Sequence, residues 1–397
     1  MLILVLNCGS SSVKYRLYKM TGETVLCGGA VEKIGQPDAT ISHTWNSQSF
    51  SEPIQANNHM QALAQIRDLL LDPTRGGVQD ADAISAVGHR VVHGGETFVS
   101  ATPITAEVAN QIAAYNNLAP LHNPPNLTGI QAARQCFPNA VQVAVFDTAF
   151  HQTLPEHAFL YPIPYDLYQN DRIRKYGFHG TSHRYVANRA AELLHKSPDT
   201  FTGITCHLGN GCSITAIQNG KSIDTSMGFT PLEGVPMGTR SGDVDPALIL
   251  YLAEQKGLSI AEIDRLLNRE SGLLGLSGIS NDLRELESAN TPKAKLAQTV
   301  FAYRIRKYIG AYLAVLGPID ALVFTGGIGE NSASMRAQIL QGLDHLGIVT
   351  DPQKNRQLDR DGDISTPDTP IRILVIPTDE ERLIARETLS AVKEQND

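Results

Sequence analysis

Three short turns of small residues each follow an apolar, strand-like run: Asn7-Cys8-Gly9-Ser10-Ser11-Ser12, His207-Leu208-Gly209-Asn210-Gly211 and Gly326-Gly327-Ile328-Gly329-Glu330. Small residues leave backbone N–H groups open to an anion, and a helix N-terminus after the turn adds its dipole. Lys14 stands just past the first turn as a compact positive charge. A single turn of this kind is equally an ordinary Gly/Ser turn. Three of them at strand ends form the pattern expected around a polyphosphate. The sequence has neither GxxxxGK[ST] nor a clean GxGxxG, which excludes a P-loop and a dinucleotide-binding Rossmann domain.

Two arginines sit where anions are met bidentately: Arg90 in GHRVVHGG and Arg240 in GVPMGTRSGD. A surface ion pair is the competing reading of each. His89, His93, His122, His179, His183 and His207 recur among these motifs, but there is no HExxH, and a strand would not bring His89 and His93 together on zinc. His179, in YGFHGTSH, is either a hydrogen-bond donor to a transferring group or the cap of the helix that follows. Asp147 at a strand end, Glu330, and Glu380-Glu381 suit Mg²⁺, which takes one or two protein carboxylates and fills its shell with water and phosphate. Helix-dipole complementation is the plainer account of Glu380-Glu381, and a helix N-terminus that of Asp282 and Arg284 in ISNDLR.

The chain of 397 residues exceeds one typical core and suits two domains. Its 42% apolar and 19% charged residues are those of a globular enzyme. A net charge of −8 points away from nucleic acid and membrane surfaces, so an anion must be held by local positive groups. The five cysteines, Cys8, Cys27, Cys136, Cys206 and Cys212, form no CxxC, which implies a reducing, cytoplasmic setting. The N-terminal apolar run lacks a basic lead and is too short for a secretion signal. Ile309–Phe324 is broken by Gly317-Pro318 and Asp320, so it reads as a helix and a strand rather than a membrane span.

Leu2–Leu6 is unbroken apolar sequence, the mark of a strand buried on both faces. Val13, Tyr15 and Leu17 then alternate with Lys14, Arg16 and Tyr18 in a second strand. Strands are expected at Thr24–Val31, Ala83–Val92 and Ala140–Phe146, and helices at Met60–Leu71, Thr105–Tyr115 and Asn126–Cys136, the last with Pro124-Pro125 as a start signal. After a loop-rich stretch and a helix at Thr181–Leu194 the order restarts, with strands at Gly203–His207, Cys212–Gln218 and Lys221–Ser226. Helices are expected at Pro246–Gln255, Ile260–Leu267 and Pro292–Leu316, then a strand at Ala321–Thr325 and a helix at Asn331–Leu346. A strand at Ile371–Ile376 and a helix at Asp379–Val392 close the chain. Two halves that each open on strand–small turn–strand imply an internal duplication of α/β type, with a cleft between the halves.

The ordered motifs LVLNCGSSSVKY, GHRVVHGG, LHNPPN, VFDTAFH, YGFHGTSH, HLGNG, DTSMGFTPLEGVPMGTRSGDVDP, FTGGIGEN and PTDEE resemble the acetate and propionate kinase family over essentially the whole length. The resemblance implies the actin, sugar-kinase and heat-shock-chaperone ATPase superfamily: duplicated ribonuclease-H-like domains of order βββαβαβα, with mixed sheets flanked by helices. Residues 1–147 with 380–397 would form an acyl and phosphate domain, and 148–379 a nucleotide-binding and dimerisation domain. It implies reversible transfer of the ATP γ-phosphoryl group to acetate, Mg²⁺ with Mn²⁺ tolerated in its place, and a cytoplasmic homodimer. By the motif match, Asn7 and Glu380 lie at the metal and Lys14 near the phosphates. His207, Leu208, Gly209, Asn210 and Gly211, then Asp282, Leu283 and Arg284, then Gly327, Ile328, Gly329, Glu330 and Asn331 match the nucleotide site. Arg90 and Arg240 would hold the carboxylate and the transferring phosphoryl group, with His122 and His179 beside them. Val92, Leu121, Phe178 and Pro231 match the methyl pocket, and Asp147 the catalytic aspartate. An acid substrate is already ionised at neutral pH, so Asp147 is expected to orient Mg²⁺-bound water or the arginines rather than act as a base. A propionate kinase and a non-catalytic actin-like scaffold are the rivals. β-Branched Val92 trims the pocket against propionate, and a scaffold has no use for the two arginines.

Overall fold

The computed structural model describes residues 1–120, 122–358 and 360–396. Two compact units emerge, Met1–Ala149 with Asp379–Asp397, and Phe150–Thr378.

The first unit is built on β1 (Leu2–Cys8), β2 (Ser12–Lys19), β3 (Thr24–Glu32), β4 (Thr40–Trp45), β5 (Gln48–Pro53), β6 (Ile84–Val91), β7 (Thr102–Pro103) and β8 (Val141–Phe146). The sheet order is β5-β4-β3-β2-β1-β6-β8-β7. β1 to β5 form an antiparallel meander, and β6 and β8 run parallel to β1. β1 is covered on both faces, as its apolar run requires. Leu4 and Leu6 pack with Val13, Tyr15 and Leu17 against Leu63 and Ile66 of the helix His59–Leu70 and Ala132 and Ala133 of the helix Asn123–Cys136. Ile3 and Val5 pack with Tyr18, Val143 and Val145 against Ile384, Ala385 and Val392 of the C-terminal helix Glu380–Asn396. Each fully buried Leu, Ile or Val contributes roughly 1.5–3 kcal/mol. The C-terminal helix lies so close on β6 that a methyl group on Gly88 would collide with Thr388 Oγ1 and stand 2.9 Å from Ile384 Cγ2.

The second unit repeats the plan with β9 (Gly203–Leu208), β10 (Cys212–Gln218), β11 (Lys221–Thr225), β12 (Ala321–Thr325), β13 (Gly362–Asp363) and β14 (Arg372–Val375), in the order β11-β10-β9-β12-β14-β13. An antiparallel hairpin plus a third strand meets two parallel strands in both sheets. β3-β2-β1-β6-β8 and β11-β10-β9-β12-β14 are therefore the same arrangement, as a duplication requires. Val186, Ala187, Ala190 and Ala191 of the helix Gly180–Leu193 cover one face of the second sheet, packed on Ile217, Ala321, Val323 and Leu374.

Several expectations are corrected. The first unit keeps the βββαβαβα order and adds to it: β4 and β5 extend its meander. Their sequences, TISHTW and QSFSEP, are rich in Ser and Thr; β4 buries Ile41 in the core with Trp45 packed against it, while β5 is exposed along nearly its whole length. The two-residue strands β7 and β13 were also unmarked. The helix expected from Asn126 begins at Asn123, with the prolines inside its first turn, where no N–H donor is needed. The helix expected over Asn331–Leu346 is three pieces. Gly326–Asn331 is helical because Glu330 reaches back to accept from the Gly326 N–H at 2.8 Å. Ser332 then caps Ala333–Leu340, and a short turn occupies Asp344–Leu346.

Candidate active site

In the first unit the parallel register places Arg90 opposite Val145 and Val91 opposite Phe146. Asp147 follows β8 directly, and its N–H donates to the Val91 carbonyl at 3.0 Å. The two side chains meet as a fork: Arg90 Nε lies 3.0 and 3.2 Å from the two Asp147 oxygens, and Nη2 lies 2.6 Å from Oδ2. Glu380, opening the C-terminal helix, brings a second carboxylate to 4.0 Å from Arg90 Nε. Burial works against the Arg90 charge, but Asp147 and Glu380 outweigh it and raise the pKa of the guanidinium. Burial also raises the Glu380 carboxyl, with Arg90 and Lys14 pulling against it and Asp147 and Glu381 adding to it. A half-buried carboxylate so placed is better satisfied by a cation than by water.

Asn7 and Lys14 face each other in the β1–β2 register. The Asn7 amide makes no hydrogen bond among the described residues, while Lys14 is exposed and its charge reaches Glu380. An amide oxygen and a carboxylate are hard donors of the kind Mg²⁺ takes, so Asn7 and Glu380 fit the ion. Half-buried Val92 follows β6, its N–H donating to Asn126 Oδ1 at 3.1 Å. His122, half-buried, precedes the helix Asn123–Cys136. Leu121 lies outside the described residues.

In the second unit His179 has left-handed backbone (φ +56°) at the start of the helix Gly180–Leu193, the same φ sign a capping glycine adopts, although its side chain makes no capping bond. Its Nδ1 lies 2.8 Å from Ser213 Oγ, and its ring stacks 4.3 Å from that of His207. His207 Nδ1 lies 2.7 Å from Ser182 Oγ, which lies 2.9 Å from Thr378 Oγ1. A methyl group on Gly211 would stand 3.2 Å from His179 Nε2 and 3.6 Å from Arg240 Nη1, so these two side chains converge beside the backbone of one residue. Arg240 is half-buried, its Nη1 donates to the Pro231 carbonyl at 3.2 Å, and no carboxylate pairs with it among the described residues. Burial alone lowers its pKa, so the guanidinium is a cation short of an anion. Phe178 is buried, and its carbonyl lies 3.0 Å from His151 Nε2.

A cavity of about 420 Å³ opens in the same unit, within the usual size range of small-molecule sites. Gly209, Asn210, Asp282, Leu283, Arg284, Gly327, Ile328 and Asn331 line it, so eight of the thirteen nucleotide positions marked in the sequence come together here. The other five are not in its lining. Leu208 is buried in β9 and Gly329 in the Gly326–Asn331 helix. Glu330 Oε1 accepts from the Gly326 and Thr378 N–H groups and so clamps the turn. His207 and Gly211 belong to the histidine group above. Asp282 is also the helix cap that the plain reading gave: its Oδ1 accepts from the Arg284 N–H at 2.8 Å, and the Arg284 guanidinium folds back onto it. Asn281, Glu287 and Ser332 line the cavity without having been marked. They flank marked motifs but carry no pattern of their own. Ser182 and Ser213 were missed for the same reason. His183, one helical turn past His179, was marked without a role.

The Acetokinase family model matches residues 2–386. The chain is 51% identical to the acetate kinase of Desulfitobacterium hafniense, covering 99% of this chain and all of that protein. Among solved structures, the Porphyromonas gingivalis acetate kinase superposes with a TM-score of 0.94 at 46% identity, over 98% of this chain and 99% of that one. A propionate kinase from Francisella tularensis superposes at 0.92 with 43% identity over the same shares.

Proposed function

The chain belongs to the acetokinase family, and from that premise we propose that it works by direct in-line transfer of the ATP γ-phosphoryl group to acetate, reversibly. It is a kinase whose substrate is acetate, in keeping with relatives of that name at about half identity over its full length. The observation that carries the mechanism is the pair of arginines: Arg90 locked in a fork on Asp147, and Arg240 half-buried with no acidic partner among the described residues. A transferring phosphoryl group spreads charge over three oxygens, so fixed cationic donors do most of the work. Arg90 and Arg240 bind the acetate carboxylate and that charge, with His122 and His179 as further donors. Acetate is already a carboxylate at neutral pH. It attacks phosphorus without losing a proton, and Asp147 serves by aiming Arg90.

Asn7 and Glu380 would hold Mg²⁺, or Mn²⁺ in its place. When bound, the ion neutralises phosphate charge, and Lys14 adds to that. The cavity at Asp282–Arg284 and Gly327–Asn331 takes the nucleoside end of ATP, and the turns at His207–Gly211 and Gly326–Glu330 its phosphates. Val92, Leu121, Phe178 and Pro231 receive the methyl group. The same reading makes the protein a cytoplasmic homodimer. In support of the dimer, the second unit exposes Leu250, Tyr251, Ile260, Leu296 and Tyr303.

Hydroxylamine trapping of the acyl phosphate, run with acetate, propionate and butyrate, tests the reaction. Acetate is expected to give the most hydroxamate and propionate measurably less. No product from any acid would overturn the reading, and a preference for propionate would move the chain to the sister activity.

A further inference from the structure

Behind His179 lies a run of side chains that the reaction above does not use. Ser213 Oγ, 2.8 Å from His179 Nδ1, is also 2.7 Å from His183 Nε2. His183 Nδ1 is in turn 2.7 Å from Thr205 Oγ1. Ser213, His183 and Thr205 are fully buried. They are brought together by β9, by β10 and by the first turn of the helix Gly180–Leu193.

A serine hydroxyl has one proton, so between two ring nitrogens it donates to one and accepts from the other. Burial, and then His151 and His207 nearby, hold His183 well below the ordinary histidine pKa. His183 is therefore neutral with a single N–H, and the direction of every bond in the run is set by the direction of any one. With the Thr205 O–H donating to His183 Nδ1, His183 Nε2–H donates to Ser213, and the Ser213 O–H donates to His179 Nδ1. The His179 proton then sits on Nε2, beside Arg240 Nη1 near Gly211. In the opposite direction Nε2 would carry a lone pair and repel a phosphoryl oxygen.

We propose that Ser213, His183 and Thr205 are positioning residues that hold His179 in its Nε2–H tautomer. The proposal rests on the role given to His179 above, that of a hydrogen-bond donor to the transferring phosphoryl group. Buried neutral hydrogen-bond chains polarise cooperatively, so one broken link relaxes the whole run.

The test uses the intact protein with its histidines labelled with ¹⁵N, and Ser213→Ala, Thr205→Val and Thr205→Ser variants. The His179 resonance, assigned from a His179→Gln sample, is expected to show a protonated Nε2 and a bare Nδ1 in the native protein. Ser213→Ala and Thr205→Val are expected to lose roughly 10–100-fold in kcat, the range seen when the group orienting an imidazole is removed elsewhere. KM for acetate and ATP should stay within twofold, and the tautomer should become mixed. Thr205→Ser should restore both rate and tautomer, and if Ser213→Ala does not fold, the Thr205 pair carries the comparison. A native Nδ1–H tautomer would overturn the proposal. So would an unchanged kcat in Thr205→Val, or a fall in kcat with the tautomer intact. The tautomer is read without turnover, so failure of the acetate assay is a separate result.

Discussion

Both oxygens of Asp147 bond Arg90, and in the proposed mechanism they aim its guanidinium. Asp147→Asn keeps the shape but turns an NH₂ group toward a cation. Turnover is expected to fall on the order of 10²–10³-fold, as when one preorganised charge-stabilising donor is lost elsewhere. Raising the pH from 7 to 9 should return none of it; recovery under alkali would make Asp147 a general base after all. Val92 tests specificity at the same scale. A methylene in an apolar pocket is worth about 1–3 kcal/mol, so Val92→Ala should raise the kcat/KM of propionate relative to acetate by roughly tenfold. An unchanged ratio would remove Val92 from the pocket.

Between elements, the seat of the C-terminal helix on β6 decides where Glu380 stands. Gly88→Ala would push on Thr388 and Ile384 and so displace the helix that begins at Glu380. The expected result is a lower unfolding temperature together with a higher Mg²⁺ requirement. Pairing it with Thr388→Ala should relieve both; a double variant no better than the single would mean that the contact is not what seats the helix. The elements themselves were largely legible in the sequence. Leu2–Leu6 announced a doubly covered strand, and Cys212–Gln218, Ala321–Thr325 and Pro292–Leu316 form with the bounds their patterns gave. β5 was illegible because it is exposed along nearly its whole length, and β4 because its inward face of Ile41, His43 and Trp45 sets a histidine between its two apolar side chains. In the candidate site, residue types were legible and pairings were not. Arg90 and Asp147 are 57 positions apart and meet only through the parallel register of β6 and β8. Ser213 is an ordinary strand serine until the fold sets it between two imidazoles.

Across the whole molecule, buried neutral histidines set a pH limit. Burial depresses His89 and His93 to about 4, against about 6.5 in an unfolded chain. The unfolded state then binds more protons between those values, so stability rises with pH in that window and is lost as pH falls from 6.5 toward 4. Each contributes on the order of 3 kcal/mol by the bottom of the window. The raised Glu380 carboxyl acts in the opposite sense. Urea midpoints should drop between pH 7.5 and pH 5; a flat profile would mean that these rings are protonated in the folded state. Light scattering should report a mass near twice 43.0 kDa if the exposed apolar residues of the second unit are an interface between copies, and a monomer would return them to ordinary surface.

The discontinuity of the first unit has a consequence for synthesis on the ribosome. Residues 379–397, whose helix covers one face of β1, β6 and β8, are translated after all of Phe150–Thr378. The second unit is contiguous and can fold as it emerges, whereas the first, although its strands are made early, must wait with Ile3, Val5 and Val143 uncovered until the last helix arrives. During that interval the nascent chain carries an apolar sheet face of the kind chaperones recognise. Because Glu380 comes with the helix, a chain truncated ahead of it would keep the cavity of the second unit but lack a carboxylate proposed for the metal.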